Sequence, residues 1–224
     1  MRDWSIQIKA HFKDRDFTFS VIIAFLLFAV SFGVNFLAGT YASNVESNPV
    51  TDIILSNTRV YDVDFLFTYG MFAVWIPVIF LCLRHPKRIP FVLKSIATFI
   101  LIRSVFISLT HIAIFPTHVD VTSGFNSIMN FTGDLFFSGH TGLPFLMSLV
   151  FWQYKNLRYY FIACSLFFGT VVLLGHVHYS IDVFGAFFIT YSIFHITEFL
   201  FKKDRSIFYS GIEKLKTIAP KLVA

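Results

Sequence analysis

Apolar positions gather in six long runs, at roughly 17–39, 65–83, 91–114, 135–152, 159–175 and 181–201. A helix needs about 20 mostly apolar residues to cross the hydrocarbon core of a bilayer. Four runs reach that length, and the fourth and fifth are shorter and extend into their flanks. The pattern predicts an all-α fold, a six-transmembrane-helix bundle. No long polar insertion, internal repeat or low-complexity tract interrupts it. The expected organisation is an N-terminal piece over 1–16, one six-span membrane domain over 17–201, and a basic tail over 202–224. Trp4, Ile8 and Phe12 recur at helical spacing among charges. That suits a short helix lying in the interface, and equally a frayed polar tail. The first run is longer than the 7–15 apolar residues of a cleaved leader, and no small-x-small site follows it.

Composition strengthens the membrane reading. Apolar residues make up 56% of the chain and charged residues 14%, against about 25% charged in an ordinary soluble domain. The mean hydropathy of +0.70 excludes disorder and a nucleic-acid-binding basic domain. The net charge of +5 belongs instead to loops on one side of a membrane. Arg2, Lys9, Lys13 and Arg15 precede the first run, and Arg84, Lys87 and Arg88 follow the second. Lys155 and Arg158 separate the fourth from the fifth, and six more lysines and arginines follow the sixth. The opposite loops carry only Arg59. The positive-inside rule therefore puts both termini in the cytoplasm and the loops 40–64, 115–134 and 176–180 outside. Cys82 and Cys164 lie within apolar runs and read as packed thiols rather than a disulfide. Asn130-Phe131-Thr132 matches a glycosylation sequon, a weak signal so close to the bilayer.

Ionisable groups inside spans are costly and usually functional. Arg103 falls near the middle of the third run, His140 early in the fourth, and His178 and Asp182 at the start of the sixth. With the predicted topology, His140, His178 and Asp182 all lie near the outer surface. The i, i+4 spacing of His178 and Asp182 places them on one helix face. A carboxylate there fixes one imidazole tautomer and leaves the other nitrogen to attack or take a proton. A second histidine supplies separate acid–base chemistry. Two histidines and one orienting carboxylate suffice for phosphoryl transfer through a phosphohistidine, with no metal and no cofactor. A metal bound by His176, His178 and Asp182 is the competing reading. His111, His118 and His195 read as packing or hydrogen-bonding residues, and Glu198 as a partner of Lys202 at i+4.

Pro144 has no N–H to give the carbonyl of His140. The fourth helix therefore either starts near Thr141 or kinks there. A start there would turn the amides of Ser138, Gly139, His140 and Thr141 outward as an anion site. Arg103 is about eleven residues, roughly 16 Å, from either end of its span, too deep to snorkel easily. Its expected partner is a substrate phosphate in a sunken polar pocket.

These residues resemble the sphingomyelin synthase family, a branch of the lipid phosphate phosphatase superfamily. The family's Gly-Asp-x-x-x-Ser-Gly-His-Thr pattern is matched from Gly133 to Thr141, and His-Tyr-Ser/Thr-x-Asp-Val from His178 to Val183. Arg103 and Thr110 match its Arg-x6-Thr element, and Pro49 to Asp52 echo its first. The resemblance implies His178 as nucleophile, Asp182 as its orienter and His140 as acid and base. It also implies Arg103, Thr110, Asp134, Ser138, Gly139, Thr141 and Tyr179 at the substrate. The implied partners are a phospholipid donor of phosphocholine or phosphoethanolamine and a lipid-alcohol acceptor such as ceramide, with no nucleic acid. Thr132 stands where the family has Cys. The wider superfamily carries a Ser-Arg pair before its second histidine, where this chain has Val171 and Val172, and a Pro where it has Phe137. Losing that arginine suits a singly charged phosphodiester. Hydrolysis by the same residues, and non-enzymatic lipid binding with the polar groups as structural glue, are the alternatives.

Overall fold

A computed structural model describes residues 11–119 and 135–210. Among them the regular structure is entirely helical. The helices are α1 (Arg15–Asn44), α2 (Asp64–Gly70), α3 (Phe72–Arg84), α4 (Ile89–Leu109), α5 (Gly139–Val150), α6 (Lys155–Leu174), α7 (Ser180–Leu200) and α8 (Lys202–Ser210). Five segments are long and apolar enough to cross a membrane: α1, α2 with α3, α4 with the turn before it, α6 and α7. The expected fourth span differs. It is the 12-residue α5, about 18 Å long at 1.5 Å per residue, well short of a bilayer core of about 30 Å. Ser138 caps it and Pro144 sits inside it, so the helix begins earlier than Thr141.

Local chemistry accounts for the helix ends and breaks. Asp14 caps α1 by accepting the Phe17 amide at 3.1 Å. Pro77 lies inside α3, so the Ala73 carbonyl loses its donor four residues on. The hydroxyl of Tyr160 on α6 replaces it at 2.6 Å. The second run is likewise broken at Met71, between α2 and α3.

The buried α4 is the axis of the bundle. It packs along α1 and against α5 and α7, while α5 is also flanked by α6. Phe91, Phe99, Phe137, Phe151, Phe161 and Phe168 are fully buried around it. Gly142 allows a close approach: a Cβ there would stand 2.7 Å from the Phe99 ring and 2.9 Å from Thr190 Oγ1. Phe19, Leu26, Phe65, Leu109, Phe188 and Phe199 face outward, as side chains meeting lipid do. In lipid such a bundle is held by close packing and internal polar contacts, since hydrocarbon gives no drive toward burial.

Those polar contacts lie at two ends. At one, Lys94 Nζ donates to Asp204 Oδ2 at 2.6 Å and to Ser20 Oγ at 2.7 Å, and Lys203 pairs with Asp16. Arg205 donates through Nε to Glu198 Oε1 and through Nη1 to the Val150 carbonyl, both at 2.9 Å. Glu198 thus pairs with Arg205 and, at 3.3 Å, with His195, while Lys202 lies over the Phe199 ring. The expected Glu198–Lys202 pair gives way because α7 ends at Leu200 and the chain turns into α8. At the other end lie the loops that carry both histidine motifs. Trp4, Ile8 and the Asn130 sequon lie outside the described residues, as does the basic tail beyond residue 210.

Candidate active site

Two helix beginnings build the site. Ser138 Oγ accepts the Thr141 amide at 3.4 Å and its hydroxyl at 3.2 Å, which starts α5 and puts His140 in its first turn. Asp182, in the first turn of α7, accepts the Tyr179 amide at 2.9 Å. The Ser138 amide donates to the Asp182 carbonyl at 3.1 Å. That bond ties the two motifs together although more than forty positions separate them in the chain.

His178 and Asp182 do meet, but not across a helix face. The helix begins at Ser180, so His178 precedes it and reaches the carboxylate around the cap. His178 Nδ1 lies 3.6 Å from Asp182 Oδ2, an ion-pair distance beyond a good hydrogen bond. Both side chains are buried, and among the described residues Nδ1 has no hydrogen-bond partner. Asp182 Oδ2 is therefore shared between holding the cap and facing the imidazole.

His140 lies between Phe67 and Phe168. Its Nε2 is 3.2 Å from the Phe67 carbonyl, and its ring stacks on Phe67 at 3.8 Å. His178 and Arg103 are near enough to act on its charge. Arg103 is buried and donates from Nε to the Phe137 carbonyl at 2.7 Å. Its guanidinium also packs beside Gly139, where a Cβ would stand 3.5 Å from Nε. The expectation that its partner is a substrate phosphate needs that amendment: the backbone before α5 already holds one of its N–H groups.

The remaining expected residues divide. Ser138, Gly139 and Thr141 form the turn beneath Arg103. Thr110 closes α4 and returns its hydroxyl to the Phe106 carbonyl at 3.0 Å. The Tyr179 hydroxyl donates to the Ala113 carbonyl at 2.8 Å and accepts the Val50 amide at 3.2 Å, so it braces the loops of this end. Asp134 lies outside the described residues. His176 is buried with φ of 54° and turns Nδ1 to Thr117 Oγ1 at 2.6 Å. Among the described residues no three His, Cys, Asp or Glu side chains converge as metal ligands.

Asp52, only faintly marked in the sequence, is the strongest addition. Its Oδ1 accepts the Ile54 and Leu55 amides at 2.8 and 3.0 Å, and its Oδ2 the Ser180 amide at 2.7 Å. It thereby anchors the loop after α1 to the first amide of α7. Burial pushes its carboxyl upward, but the donors from Leu55, Ser180 and Ile54 outweigh that and hold it below the ordinary carboxylate range. The signal available in sequence was an acid after Pro49, with nothing local to say what it binds.

No curated protein and no solved structure matches the chain significantly. Residues 132–199 match the family described as PAP2 superfamily C-terminal. The match takes in His140, His178 and Asp182 together with the helices that present them. It supports placing the chain in the lipid phosphate phosphatase superfamily, as a phosphatase- or phosphotransferase-type enzyme acting on membrane lipids.

Proposed function

We propose that this protein is a phospholipid headgroup transferase. It moves phosphocholine or phosphoethanolamine from a glycerophospholipid to ceramide or another lipid alcohol and releases diacylglycerol. The observation that carries this reading is the convergence of His140, Arg103 and the His178–Asp182 pair at one end of a lipid-facing bundle.

In this scheme the His178 nitrogen not facing Asp182 attacks phosphorus. The P–N bond forms as the P–O bond to diacylglycerol breaks, and cationic His140 gives its proton to the leaving oxygen. His140 then takes the proton of the acceptor hydroxyl. The acceptor oxygen bonds to phosphorus, the P–N bond breaks, and the proton returned to His140 restores the starting state. Arg103 and the amides of Gly139 and His140 offset phosphate charge where water is excluded, the Ser138 and Thr141 amides being held by Asp182 and by the Ser138 hydroxyl. Thr110, Asp134 and Tyr179 complete the substrate surroundings in this reading.

A phosphodiester is favoured over a phosphomonoester by the wall beside Phe67. Val172, which stands where the resemblance would put the superfamily's arginine, packs there with Val183 against Phe67. Hydrolysis is the second reading, favoured by a family match that embraces phosphatases. The orientation we propose puts this end outside, both termini in the cytoplasm, and the domain limits at 17–201.

The test is purified protein in vesicles of phospholipid labelled in the headgroup, with and without ceramide. Label should pass to ceramide in a ceramide-dependent way, and turnover should persist in chelator. Water-soluble phosphocholine or phosphoethanolamine released at the same rate without ceramide would establish hydrolysis instead.

A further inference from the structure

The break in the second membrane segment carries an inference about which nitrogen of His140 moves protons. An unbroken helix from Asp64 to Arg84 would give the Phe67 carbonyl to the amide of Met71, four residues on. The helix breaks there instead, and the Met71 N–H turns to the Tyr69 carbonyl. The Phe67 carbonyl receives His140 Nε2 at 3.2 Å.

A carbonyl oxygen only accepts, so the His140 nitrogen facing it must carry a proton. Neutral His140 is thereby the Nε2–H tautomer, and Nδ1 is the nitrogen able to take and return a proton. The ring plane is fixed as well. Phe67 stacks on it at 3.8 Å with 25° between planes, and Phe168 meets it edge-on at 6.2 Å. Phe67 is in turn held by Val172 of α6 and Val183 of α7. Gly70, at the break, lets Phe168 approach: a Cβ there would stand 2.8 Å from Phe168 Cε1.

We infer that Phe67 is a positioning residue: the α2–α3 break delivers its carbonyl to His140 Nε2, making Nδ1 the proton-transferring atom of the site. The kinetic consequence rests on the headgroup-transfer reading, while the tautomer assignment does not. A histidine held by a second group through its other nitrogen keeps one tautomer and one orientation, which acid–base catalysis at a fixed distance requires.

The test replaces the peptide amide between Phe67 and Thr68 by an ester, incorporating the α-hydroxy analogue of Thr68. This weakens the Phe67 carbonyl as an acceptor and leaves every side chain in place. The control is the ester one position earlier, which weakens the Leu66 carbonyl and costs α2 a comparable hydrogen bond. The first readout is the nitrogen-15 spectrum of His140, assigned by its loss in His140→Gln. Titrated to its neutral form, His140 of the intact protein should show protonated Nε2 and unprotonated Nδ1. The Thr68 ester should shift the population toward the other tautomer, and the control should not. The second readout is steady-state kinetics. The Thr68 ester should lower kcat roughly tenfold with KM within about twofold, a part of the 10²–10⁴ that acid–base catalysis contributes. A predominant Nδ1–H tautomer in the intact protein, or identical spectra for the two esters, would overturn the assignment. An intact protein that turns over no lipid but shows protonated Nε2 would sustain the assignment and remove the transferase reading.

Discussion

At the scale of single residues, the site depends on carboxylates that serve two purposes. His178→Ala should abolish turnover while leaving the thermal transition near that of the parent, because the proposed scheme makes His178 the nucleophile. Asp182→Ala should nearly abolish turnover and also lower stability by about 1 kcal/mol, the usual worth of a helix cap, because the same oxygen faces His178 and caps α7. Activity and melting measured on both variants separate the two effects. Asp52 predicts a pH dependence. Its folded pKa is depressed below the ordinary value of 3.8, so its ionised form stabilises the fold fully above that value. The contribution is lost as pH falls through the folded pKa. The stability gap between the parent and Asp52→Asn should be constant near neutrality and shrink in strong acid. A gap that widens on acidification would contradict the assignment.

At the scale of elements, α5 is the piece on which the site turns. It is short, interrupted by Pro144, and held at both ends by other parts of the chain. Ser138 and Arg103 hold its beginning, and Arg205 and Tyr209 reach the Val150 carbonyl at its end. A cation there also suits the negative end of the helix dipole. Arg205→Ala should therefore lower thermal stability by about 1–3 kcal/mol, the cost of leaving charged-group hydrogen bonds unmade. Lys203→Ala, which breaks only the exposed pair with Asp16, should change it by less than about 0.5 kcal/mol. The helices themselves were legible in the sequence because a lipid-facing helix must be apolar throughout its length, and α1, α4, α6 and α7 follow the runs closely. Pro144 also announced an irregular α5. Less legible were contacts set by tertiary packing: Arg205 rather than Lys202 on Glu198, Asp52 on the Ser180 amide, and the break at Met71. The last has only Gly70 as a local signal, since Pro77 lies well inside α3. The i, i+4 spacing marks the pair His178 and Asp182, but the two meet around the cap and not on one helix face, because the helix starts after His178.

At the scale of the whole molecule, the two polar ends make opposite demands. One holds α8 to the bundle through Lys94–Asp204 and Arg205–Glu198, and the other gathers the histidine motifs. The proposed orientation predicts how each end meets reagents. With Cys82 and Cys164 replaced by alanine, a cysteine at the exposed Asn57 should react with an impermeant thiol reagent added to intact cells. A cysteine at the exposed Lys155 should react only after permeabilisation. The reverse pattern would overturn the orientation and the leaflet from which substrate enters.

The central claim is a headgroup carried on His178, and trapping that intermediate tests it most directly. Purified protein is mixed with vesicles of phospholipid bearing labelled phosphorus, without an acceptor alcohol, and quenched in alkali, which spares a phosphoramidate that acid would break. The account predicts labelled protein, with the label on the peptide containing His178, released to ceramide when ceramide is then supplied, and absent from His178→Ala. Turnover that proceeds at the parent rate in His178→Ala, or label found on any other residue, would contradict it.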